Sequence, residues 1–119
     1  MPSKGRFGEQ LACQYLLKKG YSIVSRNYRS KYGEIDIVCQ ENGIIVFVEV
    51  KSRTNINFGQ PHEYITSQKI KRLRRVFQYY LSANKLVNRQ LRFDIISIIY
   101  GKGCSSIDIK HFQDYDINL

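Results

Sequence analysis

Two neighbouring stretches of the chain place ionisable side chains inside apolar, β-branched runs. The first is Gly33-Glu34-Ile35-Asp36-Ile37-Val38, and the second is Ile44-Ile45-Val46-Phe47-Val48-Glu49-Val50-Lys51. Charged side chains seldom lie in buried strands unless they are paired or bind a metal ion, because removing an ion from water costs several kcal/mol. Carboxylates clustered beside a lysine therefore point to a site with chemistry, and binding of a divalent metal is the chemistry that these groups suit.

The two stretches predict an antiparallel β-hairpin. Glu41-Asn42-Gly43 between them is favourable turn chemistry, and the flanking runs have the composition of strands. Successive side chains of a strand point to opposite faces. We therefore expect Glu49 and Lys51 to share a face, and Glu34 and Asp36 to share one on the partner strand. The hairpin can bring these two faces together.

Two interpretations of the charge cluster follow from the residues alone. In the structural one, Lys51 forms satisfied salt bridges with Glu49 or Asp36. In the functional one, two carboxylates about 4 Å apart repel by roughly 4 kcal/mol at an effective dielectric constant of 20, which a divalent cation can offset. Oxygen ligands select hard ions such as Mg²⁺ or Mn²⁺. We expect Lys51 to stabilise charge on a substrate phosphate rather than to act as a base, because nearby carboxylates favour its ammonium form.

Two amphipathic helices are expected to pack on this hairpin. The first extends from Ser3 to Lys19, and Gly20 follows as its C-terminal glycine. Glu9 lies near the edge of its apolar stripe, either as a first-turn acid favoured by the helix dipole or as a member of the site. The second helix begins at Ser67, with Thr66 or Ser67 as its N-cap.

The remaining apolar segments predict three more strands. They are Tyr21 to Tyr28, Leu91 to Tyr100 with Asp94 inside it, and an edge strand from Ile107 to Lys110. Ser52 to Pro61 lacks periodicity and is predicted to be a loop. Because loops often carry function, Gln60 is a candidate for an additional site residue. Glu34 of the hairpin is a second such candidate.

The composition of the 119-residue chain indicates one folded domain, residues 1–119, with a polyanionic partner. Hydrophobic residues make up 43% and charged residues 24%, which is typical of a folded protein. The 19 Lys and Arg against 10 Asp and Glu give a net charge of +9, which suits a polyanion such as nucleic acid, although acidic lipid would also attract it. No apolar run approaches the about 20 residues that span a bilayer, and the stretch from Met1 to Arg6 lacks the apolar core of a signal peptide. We therefore expect a cytoplasmic protein without a membrane partner.

Metal binding through cysteine and histidine is not predicted. Cys13, Cys39 and Cys104 are odd in number and form no C-x-x-C pair, so neither a disulfide framework nor a zinc site is indicated. His62 and His111 are far apart in the sequence, and we interpret both as structural or solvated.

Basic residues are predicted to hold a nucleic-acid backbone, and they are densest on the polar face of the second helix. Each of them could instead be a solvated surface residue. The net charge favours phosphate contact for the set as a whole. The set comprises Arg26, Arg29, Arg53, Lys69, Lys71, Arg72, Arg74 and Arg75.

Twelve residues separate Asp36 from Glu49-Val50-Lys51. This arrangement resembles the PD-(D/E)xK signature of restriction-endonuclease-like nucleases. Further stretches extend the resemblance to the YraN-like family of bacterial proteins, up to about Tyr100. They are Gly5-Arg6-Phe7-Gly8-Glu9, Arg26-Asn27-Tyr28, Gly33-Glu34-Ile35-Asp36, Phe47-Val48-Glu49-Val50-Lys51-Ser52-Arg53, Phe58-Gly59 and Arg92-Phe93-Asp94. Ile35 stands where the signature is named for a proline.

The resemblance implies an α/β, restriction-endonuclease-like fold, with a central mixed β-sheet flanked by helices, similar to archaeal Holliday junction resolvases. It implies that Asp36, Glu49 and the Val50 carbonyl hold a metal ion, that Lys51 is the motif lysine, and that Glu9 is a further acid.

The activity that the resemblance implies is that of a magnesium-dependent endonuclease acting on DNA, with branched or repair intermediates as candidate substrates. A homodimer is implied in the same way. The alternative is a non-catalytic nucleic-acid-binding module with the same fold.

Overall fold

The computed structural model describes residues 4–53, 65–101 and 106–117. In chain order its elements are α1 (Lys4–Lys18), β1 (Ser22–Ser30), β2 (Gly33–Glu41), β3 (Ile44–Arg53), α2 (Ser67–Ala83), β4 (Leu91–Tyr100) and β5 (Ile107–Phe112).

Within these residues one mixed sheet has the strand order β1-β2-β3-β4-β5. Only β3 and β4 run parallel, and α2 lies in the connection between them, as a parallel pair requires. The other three neighbouring pairs are antiparallel. The predicted α/β architecture is confirmed, and the arrangement is compatible with a restriction-endonuclease-like fold.

The two faces of the sheet bury two apolar clusters. On one face, α2 packs its side chains Leu73, Val76 and Phe77 against the strands, and the rings of Phe47 and Phe77 stack with their centroids 4.3 Å apart. On the other face, α1 packs Ala12 and Leu16 against alternate residues of the same strands. The sheet is therefore covered on both sides, which explains why its central strands are apolar throughout.

Local sequence signals place most element ends where the structure has them. The predicted hairpin turn is confirmed: Asn42 and Gly43 have φ of 51° and 79° and form its two-residue loop, whereas Glu41 of the predicted turn is already paired with Ile44. Gly20, with φ of 95°, follows α1. Thr66 is the N-cap of α2, since its Oγ1 accepts a hydrogen bond from the Lys69 N–H at 3.1 Å.

Some boundaries differ from the prediction. The first strand begins one residue later and continues to Ser30, because it stays paired with β2 up to Ser30↔Gly33. β5 continues two residues beyond the predicted end, to Phe112, and is at the edge of the sheet as expected. Ser52 and Arg53 of the predicted loop belong to β3, and the rest of that loop, residues 54–61, lies outside the described residues.

Asp94 is the one fully buried charged residue among those that the structure describes, with 0% exposure. The Nε and Nη2 of Arg92 donate to its carboxylate at 2.8 and 2.9 Å, and the Asp114 N–H donates at 3.0 Å. His111 Nε2 lies 2.7 Å from the same group. Burial raises the pKa of Asp94, but the hydrogen bonds from His111, Arg92 and Asp114 outweigh it and hold the pKa below its ordinary value.

This network holds β4, the edge strand β5 and the segment after it together. The sequence indicated only that Asp94 interrupts an apolar strand, and it predicted nothing for the chain after Phe112. The Tyr115 N–H also donates to the Phe93 carbonyl at 2.7 Å, so that segment packs against β4. His111 is a structural residue, as interpreted.

No helix in the described part of the chain is long and apolar enough to cross a membrane.

Candidate active site at the forked end of the sheet

The sheet opens between β2 and β3 at one end. Their ladder runs from Glu41↔Ile44 to Ile37↔Val48 and stops there. Beyond that point β2 stays paired with β1, and β3 stays paired with β4 as far as Arg53↔Ile99. We call the gap between residues 33–36 of β2 and residues 49–53 of β3 the fork. Backbone groups that face the fork need partners other than a ladder.

Asp36 supplies one of those partners. Its Oδ2 accepts a hydrogen bond from the Val50 N–H at 2.8 Å, so the carboxylate takes the place of a backbone acceptor. Ile35 packs in the α2 cluster, whereas Ile37 packs in the α1 cluster. The regular alternation that the sequence predicted for Glu34 and Asp36 is therefore wrong, because β2 changes face at Asp36 and directs this side chain towards β3.

The fork concentrates negative charge around Asp36. The pKa of its carboxyl is raised from 3.8 to about 6, chiefly because the group is buried. The Val50 N–H opposes this shift, and the charges of Glu49 and Glu9 add to it. The protein's own cations thus leave the carboxylate incompletely neutralised, which is the electrostatic setting that favours a bound cation.

Glu49 is paired with a lysine that the sequence assigned only to nucleic-acid binding. Lys69 Nζ, in the first turn of α2, lies 2.9 Å from Glu49 Oε2, and the two side chains are 27% and 16% exposed. This oxygen is shielded from solvent and makes no well-aligned hydrogen bond, so the contact is an ion pair. The structural interpretation offered Lys51 as the partner of Glu49 or Asp36, and the structure adds Lys69 as a partner of Glu49 that the sequence did not indicate.

Lys51 lies beside this pair. Burial lowers the pKa of its ammonium, and the adjacent Lys69 lowers it further, which outweighs the opposite effect of Glu49 and Asp36. The expectation that neighbouring carboxylates would dominate is therefore wrong in direction. Lys51 is closer to proton exchange at neutral pH than an ordinary lysine.

Glu9 reaches the site from α1 and is held by Asn27. With the Asn27 amide turned so that Nδ2 faces the carboxylate, it donates to Oε1 at 2.7 Å and to Oε2 at 2.9 Å. Asn27 has φ of 54° and lies in β1 between the pairs Arg26↔Ile37 and Tyr28↔Ile35, which places it opposite Asp36. Asparagine tolerates this left-handed backbone better than most residues.

Gly8 lets α1 approach the sheet at this point. A Cβ at this position would overlap Ser52 Oγ and come within 3.2 Å of the Tyr100 hydroxyl oxygen. A side chain here would require Ser52 or α1, which carries the neighbouring Glu9, to shift. Sequence reasoning found Glu9 but missed Asn27 and Gly8 as the residues that position it, although both lie in the stretches that carried the family resemblance.

The donor set of the fork suits a hard divalent ion. Among the described residues no three His, Cys, Asp or Glu side chains are grouped to hold a metal, so Glu9, Asp36 and Glu49 are not a preformed three-acid site. Mg²⁺, however, is usually held by one or two carboxylates, with substrate phosphate and water as its other ligands. Val50 faces the fork with its N–H, and the carbonyl of the same strand residue faces the same side. Asp36, Glu49 and this carbonyl together offer such a set.

The fork continues on the α2 side into a cleft of about 150 Å³. Glu49, Lys69 and Arg72 line it, as does Glu34 at the rim. Glu34 is 61% exposed and pairs with Arg29 at 3.4 Å, so the structure does not bring it to Asp36. Gln60 and His62 lie outside the described residues.

The predicted nucleic-acid-binding residues lie at three locations. Lys71, Arg72 and Arg75 are exposed on α2, with Arg74 partly exposed beside them, whereas Arg26 and Arg29 are exposed on β1. Arg53 is half-buried at the end of β3. The densest positive surface therefore lies on the helix that also contributes Lys69 to the fork.

Comparisons with known proteins reveal one family. The model of the family described as "Uncharacterised protein family UPF0102" matches residues 8–98. A UPF0102 protein of Clostridioides difficile is 50% identical over 95 residues, which cover 80% of this chain and 83% of the relative. A UPF0102 protein of Syntrophomonas wolfei is 44% identical over 104 residues, covering 87% and 90%. One from Clostridium novyi is 39% identical over 115 residues, covering 97% and 89%.

Proposed function

The chain belongs to the uncharacterised protein family UPF0102, which is the YraN-like family of the sequence resemblance, and we propose that it is a magnesium- or manganese-dependent endonuclease that hydrolyses phosphodiester bonds of DNA. Branched or repair intermediates are the proposed substrates. The observation that carries this proposal is the fork itself, where Asp36 and Glu49 meet Lys51 and Lys69 at the end of an interrupted ladder.

Asp36, Glu49 and the Val50 carbonyl would hold the metal ion. A divalent ion bound there would supply positive charge for a scissile phosphate and lower the pKa of a water molecule. The protein's part in positioning is visible in its own contacts: the Val50 N–H orients the Asp36 carboxylate at 2.8 Å, and Asn27 orients Glu9. Side chains held in this way lose little freedom when substrate arrives.

Lys51 has two roles open to it at the fork. As an ammonium it stabilises negative charge that grows on a phosphate oxygen. Because burial and Lys69 lower its pKa, it can also exchange a proton at Nζ with water or with the leaving oxygen more readily than an exposed lysine. Lys69 keeps Glu49 neutralised before the metal ion binds.

The positive surface of α2 would hold the DNA backbone next to the fork. Arg72 lines the cleft together with Glu49, so a phosphate that it binds lies beside the proposed metal ligands. Backbone contacts of this kind give affinity without sequence preference and weaken as salt is added.

The nuclease proposal is tested with labelled linear, flapped and four-way DNA in the presence of Mg²⁺ or Mn²⁺. We expect cleavage of at least one substrate by the wild type and its loss in Asp36→Asn and Glu49→Gln. Asp116→Asn is the matched control, because it removes one exposed acid near Leu91, at the other end of the sheet from the fork. Absence of cleavage in the wild type, or equal cleavage by Glu49→Gln, would refute the proposal. Light scattering with and without DNA tests the homodimer that the resemblance implies.

A non-catalytic nucleic-acid-binding module is the second candidate function. The ion pair of Glu49 with Lys69, and the absence of a three-acid group among the described residues, favour it. It predicts DNA binding that depends on salt but not on Mg²⁺, and no saturable Mn²⁺ site. A calorimetric Mn²⁺ titration distinguishes the two functions, because only the nuclease requires binding that Asp36→Asn abolishes.

A further inference from the structure

Two tyrosines touch each other on the protein surface beside the fork. Tyr32, in the turn between β1 and β2, and Tyr79, on α2, have ring centroids 5.4 Å apart and an interplanar angle of 57°. They are 38% and 41% exposed, so much of each ring faces solvent. Exposed aromatic side chains that form a group are more typical of a recognition surface than single ones are.

Cations surround this tyrosine pair. Arg75 lines a surface hollow of about 460 Å³ together with both rings and Gln78. Lys31 Nζ lies 5.2 Å from the centroid of Tyr32. The ligand class that combines flat apolar rings with negative charge is a nucleotide, and aromatic rings beside a positive groove are the usual means of binding single-stranded nucleic acid.

The tyrosine pair adjoins the proposed active site. Tyr32 lines the tyrosine hollow and also the cleft that Glu49, Lys69 and Arg72 line. Arg72, Arg75 and Tyr79 follow one another at helical spacing of three and four residues, so they lie along one side of α2. A strand bound in the fork can therefore pass over α2 to the tyrosine pair.

We propose that Tyr32 and Tyr79 form a stacking platform for an unpaired base, so that the protein selects DNA with a single-stranded segment next to the phosphodiester bond in the fork. This deepens the proposed function and rests on it. In a duplex both faces of each base are covered by its neighbours, and only the edges are accessible in the grooves. A ring face on the protein can stack only on a base that has left the duplex or never belonged to one.

Binding without metal tests the platform separately from cleavage. Fluorescence anisotropy in EDTA is measured for the full chain with a single-stranded oligonucleotide, a flapped duplex and a blunt duplex. For Tyr79→Leu we expect about tenfold weaker binding of the first two and a change of less than about twofold for the blunt duplex. Tyr79→Phe keeps the ring and should bind like the wild type. Tyr32→Leu, in a different element, should repeat the result of Tyr79→Leu.

Arg75→Gln is the charge comparison. This substitution should weaken the binding of all three DNA ligands by the same factor and make the salt dependence of binding shallower, because it removes a phosphate contact and not a base contact. Lys18→Gln removes an exposed cation from α1, on the opposite face of the sheet. It should change neither the affinity for the three DNA ligands nor the salt dependence of binding. Circular dichroism checks that each variant is folded.

If Tyr79→Leu lost as much affinity for blunt duplex as for single-stranded DNA, the platform proposal would be overturned. Wild-type affinity in both leucine variants would overturn it as well. A loss in Tyr79→Phe as large as in Tyr79→Leu would also overturn it, because the hydroxyl group and not the ring would then make the contact. If cleavage persists while the platform fails, the nuclease proposal stands. If no DNA is cleaved but the preference for unpaired bases is found, only the nuclease proposal fails.

Discussion

Replacement of Asp36 by Asn should stabilise the metal-free protein at neutral pH, although it removes a proposed metal ligand. Burial raises the pKa of the Asp36 carboxyl from 3.8 to about 6, so near pH 5 the folded protein keeps a proton that the unfolded chain releases. A difference of about two units between the pKa values of the folded and unfolded states corresponds to about 3 kcal/mol in the free energy of unfolding. Asparagine has no charge to bury, and its amide oxygen can still accept the hydrogen bond that the Val50 N–H makes at 2.8 Å.

Proton linkage determines the sign. Between pH 3.8 and about 6 the folded state binds more protons on Asp36 than the unfolded state does. The wild type therefore loses stability from this group as the pH rises through that window, and loses no more above it. The variant lacks this loss. The amount by which its free energy of unfolding exceeds that of the wild type should thus be larger by about 1 to 3 kcal/mol at about pH 7.5 than at about pH 4.

Urea unfolding in EDTA at both pH values measures the effect as a shift of the midpoint at unchanged slope. Glu34→Gln controls for the loss of one negative charge, because that side chain is 61% exposed on the same strand. A difference between Asp36→Asn and the wild type that is the same at both pH values would refute the reasoning, since the cost of burying the charge would then be absent.

Three further variants test the groups around the fork and the buried network of β4. Asn27→Gly keeps the left-handed backbone but removes the amide that holds Glu9, so we expect DNA cleavage to fall about tenfold at unchanged Tm; full cleavage would show that Glu9 needs no positioning. Lys69→Met removes the ammonium 2.9 Å from Glu49 Oε2, which competes with a metal ion for this carboxylate. Mn²⁺ should therefore bind about tenfold more tightly in a calorimetric titration, and weaker binding would contradict this competition. Asp94→Asn should destabilise the protein by about 1 to 3 kcal/mol in urea unfolding, because a neutral amide cannot accept all the buried hydrogen bonds that the carboxylate accepts from Arg92, His111 and the Asp114 N–H. The pKa of Asp94 lies below its ordinary value, so its contribution is present at neutral pH and is lost as the pH falls through the folded pKa; a variant with the same loss of stability in acid as the wild type would refute this.

Much of the fold was predictable because its signals are local. The Asn42-Gly43 turn, the Thr66 cap and the apolar period of α2 each depend on residues within a few positions of one another, and the structure confirms all three. The end of the β2–β3 ladder at Ile37↔Val48 was not predictable. It depends on whether Asp36 or a backbone carbonyl takes the Val50 N–H, and strand composition is the same in both cases.

The identity of charged partners was the least predictable part of the site. Lys51 is two residues from Glu49 in the sequence and was the lysine offered to Glu49 or Asp36, whereas the contact of Glu49 with Lys69 was not indicated. Lys69 makes the contact because α2 packs its apolar side on the sheet and so carries its first turn over β3. Asn27 was missed for a related reason, since its hydrogen bonds to Glu9 join β1 to α1 across the sheet face.

The sequence by itself determined the helices and the hairpin, since periodicity and turn chemistry act over a few residues, and it supplied the carboxylates that are proposed to bind a metal ion. The tertiary structure alone decided that Asp36 turns into a fork, that Lys69 neutralises Glu49, and that Tyr32 and Tyr79 meet beside the cleft. These relations depend on distances between elements far apart in the chain. Such distances are set by the packing of α1 and α2 on opposite faces of the sheet and not by the spacing of residues along the sequence.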